Sequence, residues 1–183
     1  VKILNGTWSF KLFDYPEDVP DEAVGRVGDS SWGDITVPGN WTRQGYDKPH
    51  YTNVMMPFTN EPPDVPDANP TGVYRTTLEV AKTWSKRRKV LHIGGAESFL
   101  LLYVNGRYVG SGKDSRLPNE FDITDFLFDE GDNTIAVVVI RWSDASFIED
   151  QDHWWMAGIH RDVYVYSTAQ THLADVFALA KLE

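Results

Sequence analysis

Thr134-Ile-Ala-Val-Val-Val-Ile140 is β-branched and apolar at odd and even positions alike, the pattern of a strand covered on both faces. It predicts a central strand, and the neighbouring runs read as its partners. Phe99–Val104 is likewise apolar on both faces. Asn105-Gly106 then predicts a type I′ hairpin into Arg107–Val109, because these residue types tolerate the positive φ that turn demands. Tyr74, Thr76, Leu78 and Val80 alternate with Arg75, Thr77 and Glu79, as in a half-buried strand. Asn5-Gly6 reads as a turn, followed by Trp8 and Phe10 at spacing two. Asp34–Pro38, Val90–Ile93 and Val163–Tyr166 add short strands. Phe121, Ile123 and Phe126–Phe128 lead to a turn at Gly131-Asp132-Asn133 and so back to the central strand. No stretch keeps a helical period over about ten residues. About eight strands punctuated by turn signals predict an all-β fold, a two-sheet jelly-roll sandwich.

The long connections carry the chemistry. Residues 14–34 are rich in Asp, Glu, Pro and Gly and read as loop. Asn40–Asn69 has no periodicity and is studded with Pro49, Pro57, Pro62, Pro63 and Pro66, which is long for a structureless loop in a compact domain. It holds Tyr46, His50, Tyr51, Asn53 and Phe58, able either to contact a sugar or to pack the loop onto the sheet. Spacing leaves both open. Lys82–Lys89 reads as a solvated basic turn.

The central strand runs directly into RWSDASFIEDQDHWWMAGIHRD, Arg141–Asp162, which sets Glu149, Asp150 and Asp152 beside Trp142, Phe147, Trp154 and Trp155. Aromatics left in water lose their burial energy, and buried carboxylates need partners. A loop that stacks on sugar rings while its acids hold hydroxyls or a cation satisfies both demands, and binding residues usually sit on loops. Two other readings stand beside this one. In the first, the acids are internally satisfied caps of a solvated loop. In the second, Asp150 and Asp152 form a two-carboxylate glycosidase site, but residues two apart point the same way, whereas such sites set their acids about 5 to 9 Å apart across a bond. A calcium loop of the EF-hand type is excluded, because the sixth position from Asp150 is Trp155 rather than Gly.

The 183 residues suit one all-β domain, with 13% aromatic residues and seven Trp. The absence of cysteine excludes disulfides and Cys-ligated zinc within the chain and fits a reducing compartment, so a cytoplasmic location is expected. A net charge of −10 argues against nucleic acid or an anionic membrane as partner. No apolar run approaches the length of a membrane span, and no signal-peptide pattern opens the sequence. Gly112-Lys113 fails as a phosphate loop, with Arg107 where the first glycine belongs and Asp114 where Ser or Thr belongs. Gly94-Gly95 lacks the dinucleotide fingerprint, and no serine sits in a nucleophile elbow.

Several runs together resemble the N-terminal domain of β-galactosidases of glycoside hydrolase family 2. RWSD, EDQD, the following Trp, GI and RDV match in order. So do LNGTWSF (Leu4–Phe10), VPGNW (Val37–Trp41), GYDKPHYTN (Gly45–Asn53), NPTGVYR (Asn69–Arg75), VNGRYVG (Val104–Gly110) and DSRLPNEFDIT (Asp114–Thr124). The resemblance spans residues 4–166 and implies the same all-β jelly-roll sandwich, of the galactose-binding-domain-like type. It departs from the commonest pattern at His153 and Trp155, where Met and Arg are frequent, at Ala145 for Gly, and at Met55-Met56 for an aromatic.

The resemblance implies a parent that hydrolyses terminal non-reducing β-D-galactosides with retention, using two glutamates on a barrel domain further along the polypeptide. No catalytic residue then lies in this chain. Asp152, the last Asp of EDQD, is implied to contact galactose and to ligate sodium, with further ligands from another domain. Asn53, in YTN, is implied to hydrogen-bond the substrate. Magnesium is expected only in the parent, not through this chain alone. The expected partners are a galactoside, the rest of the polypeptide and, in the parent, further copies of itself. Residues 4–168 are expected to form the sugar-binding domain. Residues 169–183 read as the start of a following immunoglobulin-like domain, with a strand over Leu173–Leu182, or as a tail whose Leu182-Glu183 is a cloning scar. Two other readings remain, a self-sufficient carbohydrate-binding module and a structural domain that holds an oligomer together, because one sandwich hosts many functions.

Overall fold

The computed structural model describes residues 1–26, 31–53 and 55–181. Its strands, in chain order, are β1 (Lys2–Ile3), β2 (Gly6–Phe13), β3 (Gly33–Val37), β4 (His50–Tyr51), β5 (Thr71–Glu79), β6 (Arg88–Ile93) and β7 (Ala96–Glu97). They continue with β8 (Phe99–Val104), β9 (Arg107–Gly112), β10 (Asn119–Asp122), β11 (Asp132–Ile140), β12 (Trp154–Trp155), β13 (Gly158–Ile159) and β14 (Val163–Thr168). The one α-helix among the described residues, α1 (Ala145–Ile148), is a single turn. No described helix is long and apolar enough to cross a membrane.

Two antiparallel sheets make the sandwich. The larger has the order β3-β2-β5-β11-β8-β9 and the smaller β1-β14-β6-β10. β11 is central, as its composition predicts, and Val137 sits between Tyr74 of β5 and Leu102 of β8. Ile135, Val137 and Val139 point into the main core with Trp8, Phe10 and Leu100, facing Leu91, Ile93, Val163 and Val165 of the smaller sheet. Fully burying such a side chain contributes about 1.5–3 kcal/mol.

The opposite face of β11 is apolar for a second reason. Val138 packs with Val73 and Ala23 in a separate cluster that includes Leu101, Tyr103 and Trp32. Ala23 belongs to a 3-10 turn, Asp21–Val24, inside the segment that reads as loop. Arg75 fastens this cover by donating to Ala23 O at 2.8 Å. The loop is therefore a lid on the sheet, and a strand buried on both faces is its counterpart.

Asn105 (φ 54°) and Gly106 (φ 78°) form the β8–β9 hairpin as expected. Asn105 is also buried, and its amide donates to Asn133 Oδ1 at 2.7 Å and to Phe126 O at 2.9 Å. The basic turn is shorter than its charge pattern suggests, since Arg88 and Lys89 already belong to β6 and Lys89 is buried. Beyond β14, residues 171–181 form no helix or strand and expose Leu173, Val176, Phe177 and Leu179. The strand expected over Leu173–Leu182 thus makes no ladder within residues 173–181, because a strand without a neighbour has nothing to bond. Leu182 and Glu183 lie outside the described residues.

Candidate functional site

The segment after β11 is not a free loop. It is pinned at its start, middle and end. At the start, Asn69 receives Trp142 N on its side-chain oxygen and donates its amide to Trp142 O, both at 2.8 Å. The guanidinium of Arg141, almost fully buried, donates to Asp47 and to Trp155 O. In the middle, β12 pairs with β4, setting Trp154 against Tyr51 and Trp155 against His50. At the end, β13 pairs with β7, while Gly39 N and Trp41 N donate to Ile159 O and Ala157 O. Gly158 is required there. Its φ is +108°, and a Cβ would stand 2.5 Å from the Tyr74 hydroxyl oxygen.

The pins settle which aromatics are available. Trp142 and Trp155 are buried and meet edge to face at 5.5 Å, with Phe58 against Trp142 and against Phe147. Tyr46 packs on Phe10 at 4.6 Å. These rings, read from sequence as potential sugar contacts, hold the two long loops on the sandwich. Among the segment's four large aromatics only Trp154 stays open, at 54% exposure, and Tyr51 beside it is 52% exposed. The departure at Trp155 has a structural role, since its indole N–H donates to Thr52 Oγ1 at 3.1 Å.

The acids divide in the same way. Glu149 accepts from Ser115 N at 2.8 Å and from Ser115 Oγ at 2.5 Å, tying the segment to the turn after β9. Asp144 caps α1 and meets Lys113 at 2.8 Å, and that cation holds its carboxyl below the usual range. Both therefore follow the capping reading. Asp150 turns one oxygen inward, buried and without a hydrogen-bond partner among the described residues. Asp152 is exposed and accepts on Oδ1 from the Tyr51 hydroxyl at 2.6 Å. That bond, before the smaller effects of desolvation and charge, raises the Tyr51 pKa.

Strand alternation explains the arrangement. Thr52 and Trp155 bond to each other on the covered side of the β4–β12 ladder, while Tyr51 and Trp154 are open and in ring contact at 5.4 Å. Asn53 and Asp152 lie just beyond the two short strands, each two residues from the Tyr51–Trp154 pair, and both are exposed. Asn53 takes φ 56°, a left-handed conformation that asparagine tolerates better than most residues. Tyr51, Asp152 and Trp154 thus form one open cluster, with Asn53 exposed just after β4. Gln151 and His153 line a cleft of about 320 Å³ with Arg116 and Glu149. His153, another departure from the family pattern, has its Nε2 within 3.4 Å of Arg116 Nη2. No group of three or more His, Cys, Asp or Glu side chains gathers among the described residues. Asp152 can offer a hard cation one carboxylate oxygen.

The molecule is an antiparallel sandwich that leaves an exposed carboxylate, held by a tyrosine, beside an open tryptophan. The chain belongs to the glycosyl hydrolases family 2 and is its sugar binding domain, the family model matching residues 1–169. It is 50% identical over 181 residues to a β-galactosidase of Photobacterium profundum, covering 98% of this chain and 18% of that protein. A β-galactosidase of Psychromonas ingrahamii is 47% identical over 183 residues, covering 100% of this chain and 18% of its own length. The chain thus spans less than a fifth of the curated relatives it matches. A solved β-glucuronidase of Bacteroides uniformis superimposes with a TM-score of 0.69 at 25% identity, covering 92% of this chain and 18% of that one.

Proposed function

We propose that this chain is the sugar-binding domain of a polypeptide that hydrolyses terminal β-D-galactosides with retention, and that it supplies substrate contacts rather than catalytic acids. The observation that carries this is the exposed cluster of Asp152, Tyr51 and Trp154, with Asn53 exposed just after β4. A carboxylate accepts from sugar hydroxyls, an amide both donates and accepts, and exposed rings stack on the apolar face of a sugar. Retention needs two carboxyls about 5–5.5 Å apart and opposed across the scissile bond. Glu149 is committed to Ser115 and Asp150 is turned inward, so the acid/base and nucleophile are assigned to the remainder of the polypeptide. Asp152 Oδ2 is the oxygen we assign to a sodium ion, whose other ligands would come from elsewhere in the polypeptide. When bound, such an ion supplies a fixed positive charge beside a sugar hydroxyl. The galactoside assignment rests on relatives near 50% identity, whereas the glucuronidase likeness lies at 25%.

The test is turnover of a chromogenic β-galactoside and a β-glucuronide, side by side, by the full-length polypeptide and by the 183-residue chain. The full-length protein should prefer the galactoside, and the chain alone should hydrolyse neither. A preference for the glucuronide would overturn the substrate assignment. Turnover by the chain alone, abolished by Asp150→Ala or Asp152→Ala, would place the active site here instead.

A further inference from the structure

We propose that Tyr51 is a positioning residue of this site, its hydroxyl fixing the Asp152 carboxylate so that Oδ2 faces the ligand. The inference rests on the reading of Asp152 as a sugar contact and adds a residue to it. Tyr51 donates to Oδ1 at 2.6 Å, and among the described residues nothing donates to Oδ2. One oxygen is thus occupied by the protein and the other left for an incoming donor or cation.

An exposed tyrosine is ordinarily a poor clamp, because ordering its side chain costs entropy that one surface hydrogen bond barely offsets. Tyr51 is ordered by other means. Its ring lies against Trp154, the residue directly across the ladder, at 5.4 Å and 36°. The neighbouring pair sets His50 opposite Trp155, which is buried and bonded to Thr52. The ladder therefore holds the phenol before any ligand arrives, and the phenol holds the acid. Asp152 itself lies just outside β12, where the backbone alone would leave its rotamer free. Preorganising a carboxylate this way lowers the ordering cost of binding.

The experiment is a double-mutant cycle in the full-length polypeptide with Tyr51→Phe, Asp152→Asn and both together. Three readings are taken: kcat and KM on a galactoside, the calorimetric Kd of a non-hydrolysed thiogalactoside, and the melting temperature. Tyr51→Phe keeps the ring on Trp154 and removes only the hydroxyl, so melting should stay within about 2 °C. It should weaken thiogalactoside binding and kcat/KM by about 5- to 20-fold in the wild-type background and by less than about 2-fold beside Asp152→Asn. Equal losses in both backgrounds, or no loss in the wild type, while Asp152→Asn alone is impaired, would overturn the role of Tyr51 and leave the sugar-site reading intact. An Asp152→Asn variant with wild-type binding would overturn both.

Discussion

Arg141 closes the end of the central strand onto Asp47, a residue 94 positions earlier in the chain. Arg141 is about 2% exposed, and its Nε has no hydrogen-bond partner among the described residues. Burial pulls its pKa down and the Asp47 charge opposes that pull. The pair joins the two loops that meet at the open cluster, since Asp47 precedes β4 and Arg141 also donates to the carbonyl of Trp155 in β12.

Breaking that pair should be costly. Asp47→Asn leaves a buried guanidinium without its counter-charge, for which about 3–5 kcal/mol is typical. For a chain of this size that is a fall of roughly 6–20 °C in melting temperature. Replacing both partners, as Arg141→Met with Asp47→Leu, should recover a large part of the loss, because the desolvation cost disappears with the charges. Thermal melts of the single and double variants decide it. A single variant that melts with the wild type would show that the pair does not hold the loops.

Acid should weaken the fold before its carboxylates protonate. His160 is held neutral chiefly by burial, which lowers its pKa from 6.5, and its Nε2 lies 2.8 Å from Ser115 O. His50 is lowered by burial and then by Arg141. With folded pKa values below the unfolded value, the unfolded chain binds more protons, so stability is fully present above about pH 6.5 and declines as pH falls below it. Asp122 and Asp144 shift below 3.8, so their contribution is lost only in stronger acid. Melting temperatures at pH 7.5 and 5.5 should therefore fall with acidification, and His160→Gln should flatten the decline. A melt that rises toward pH 5.5 would contradict the assignment.

The chain by itself should bind galactose weakly. Two side chains and a pair of rings supply few contacts, and each hydrogen bond contributes about 0.5–1.5 kcal/mol net, or up to roughly 3 where a charge takes part. Association entropy takes most of this, so calorimetry on the 183-residue chain should give a Kd weaker than about 1 mM. A micromolar value would favour a self-sufficient binding module.

The parts of this architecture set by local pattern are legible in the sequence. β11 declares itself by composition, and the β8–β9 hairpin by Asn105-Gly106. What is not legible depends on partners far along the chain. β4 and β12 are two residues each and exist only because they pair across 103 positions, so neither has a periodicity of its own. Composition likewise cannot say that Trp142 and Trp155 are buried while Trp154 is open, because Phe58, from the other loop, helps decide it. A weak signal is present. Asn53 follows Tyr51 by two residues and Asp152 precedes Trp154 by two, so each adjoins one of the two short strands that pair. The match of EDQD and YTN to the family pattern points to Asp152 and Asn53 by another route.

Sodium dependence of catalysis tests the central claim, that Asp152 is a ligand-contacting carboxylate, most directly. The measurement is kcat/KM against sodium concentration for the full-length wild type and Asp152→Asn, with melts alongside. An amide keeps the size and one acceptor oxygen but loses the charge, and losing a charged hydrogen bond with an ion contact should cost roughly 2–4 kcal/mol, about 30- to 900-fold in rate. Because Asp152 is exposed, melting should shift by only a few degrees. The account predicts that large loss together with a weakened or absent sodium response. Full activity and an intact sodium response in Asp152→Asn would contradict it.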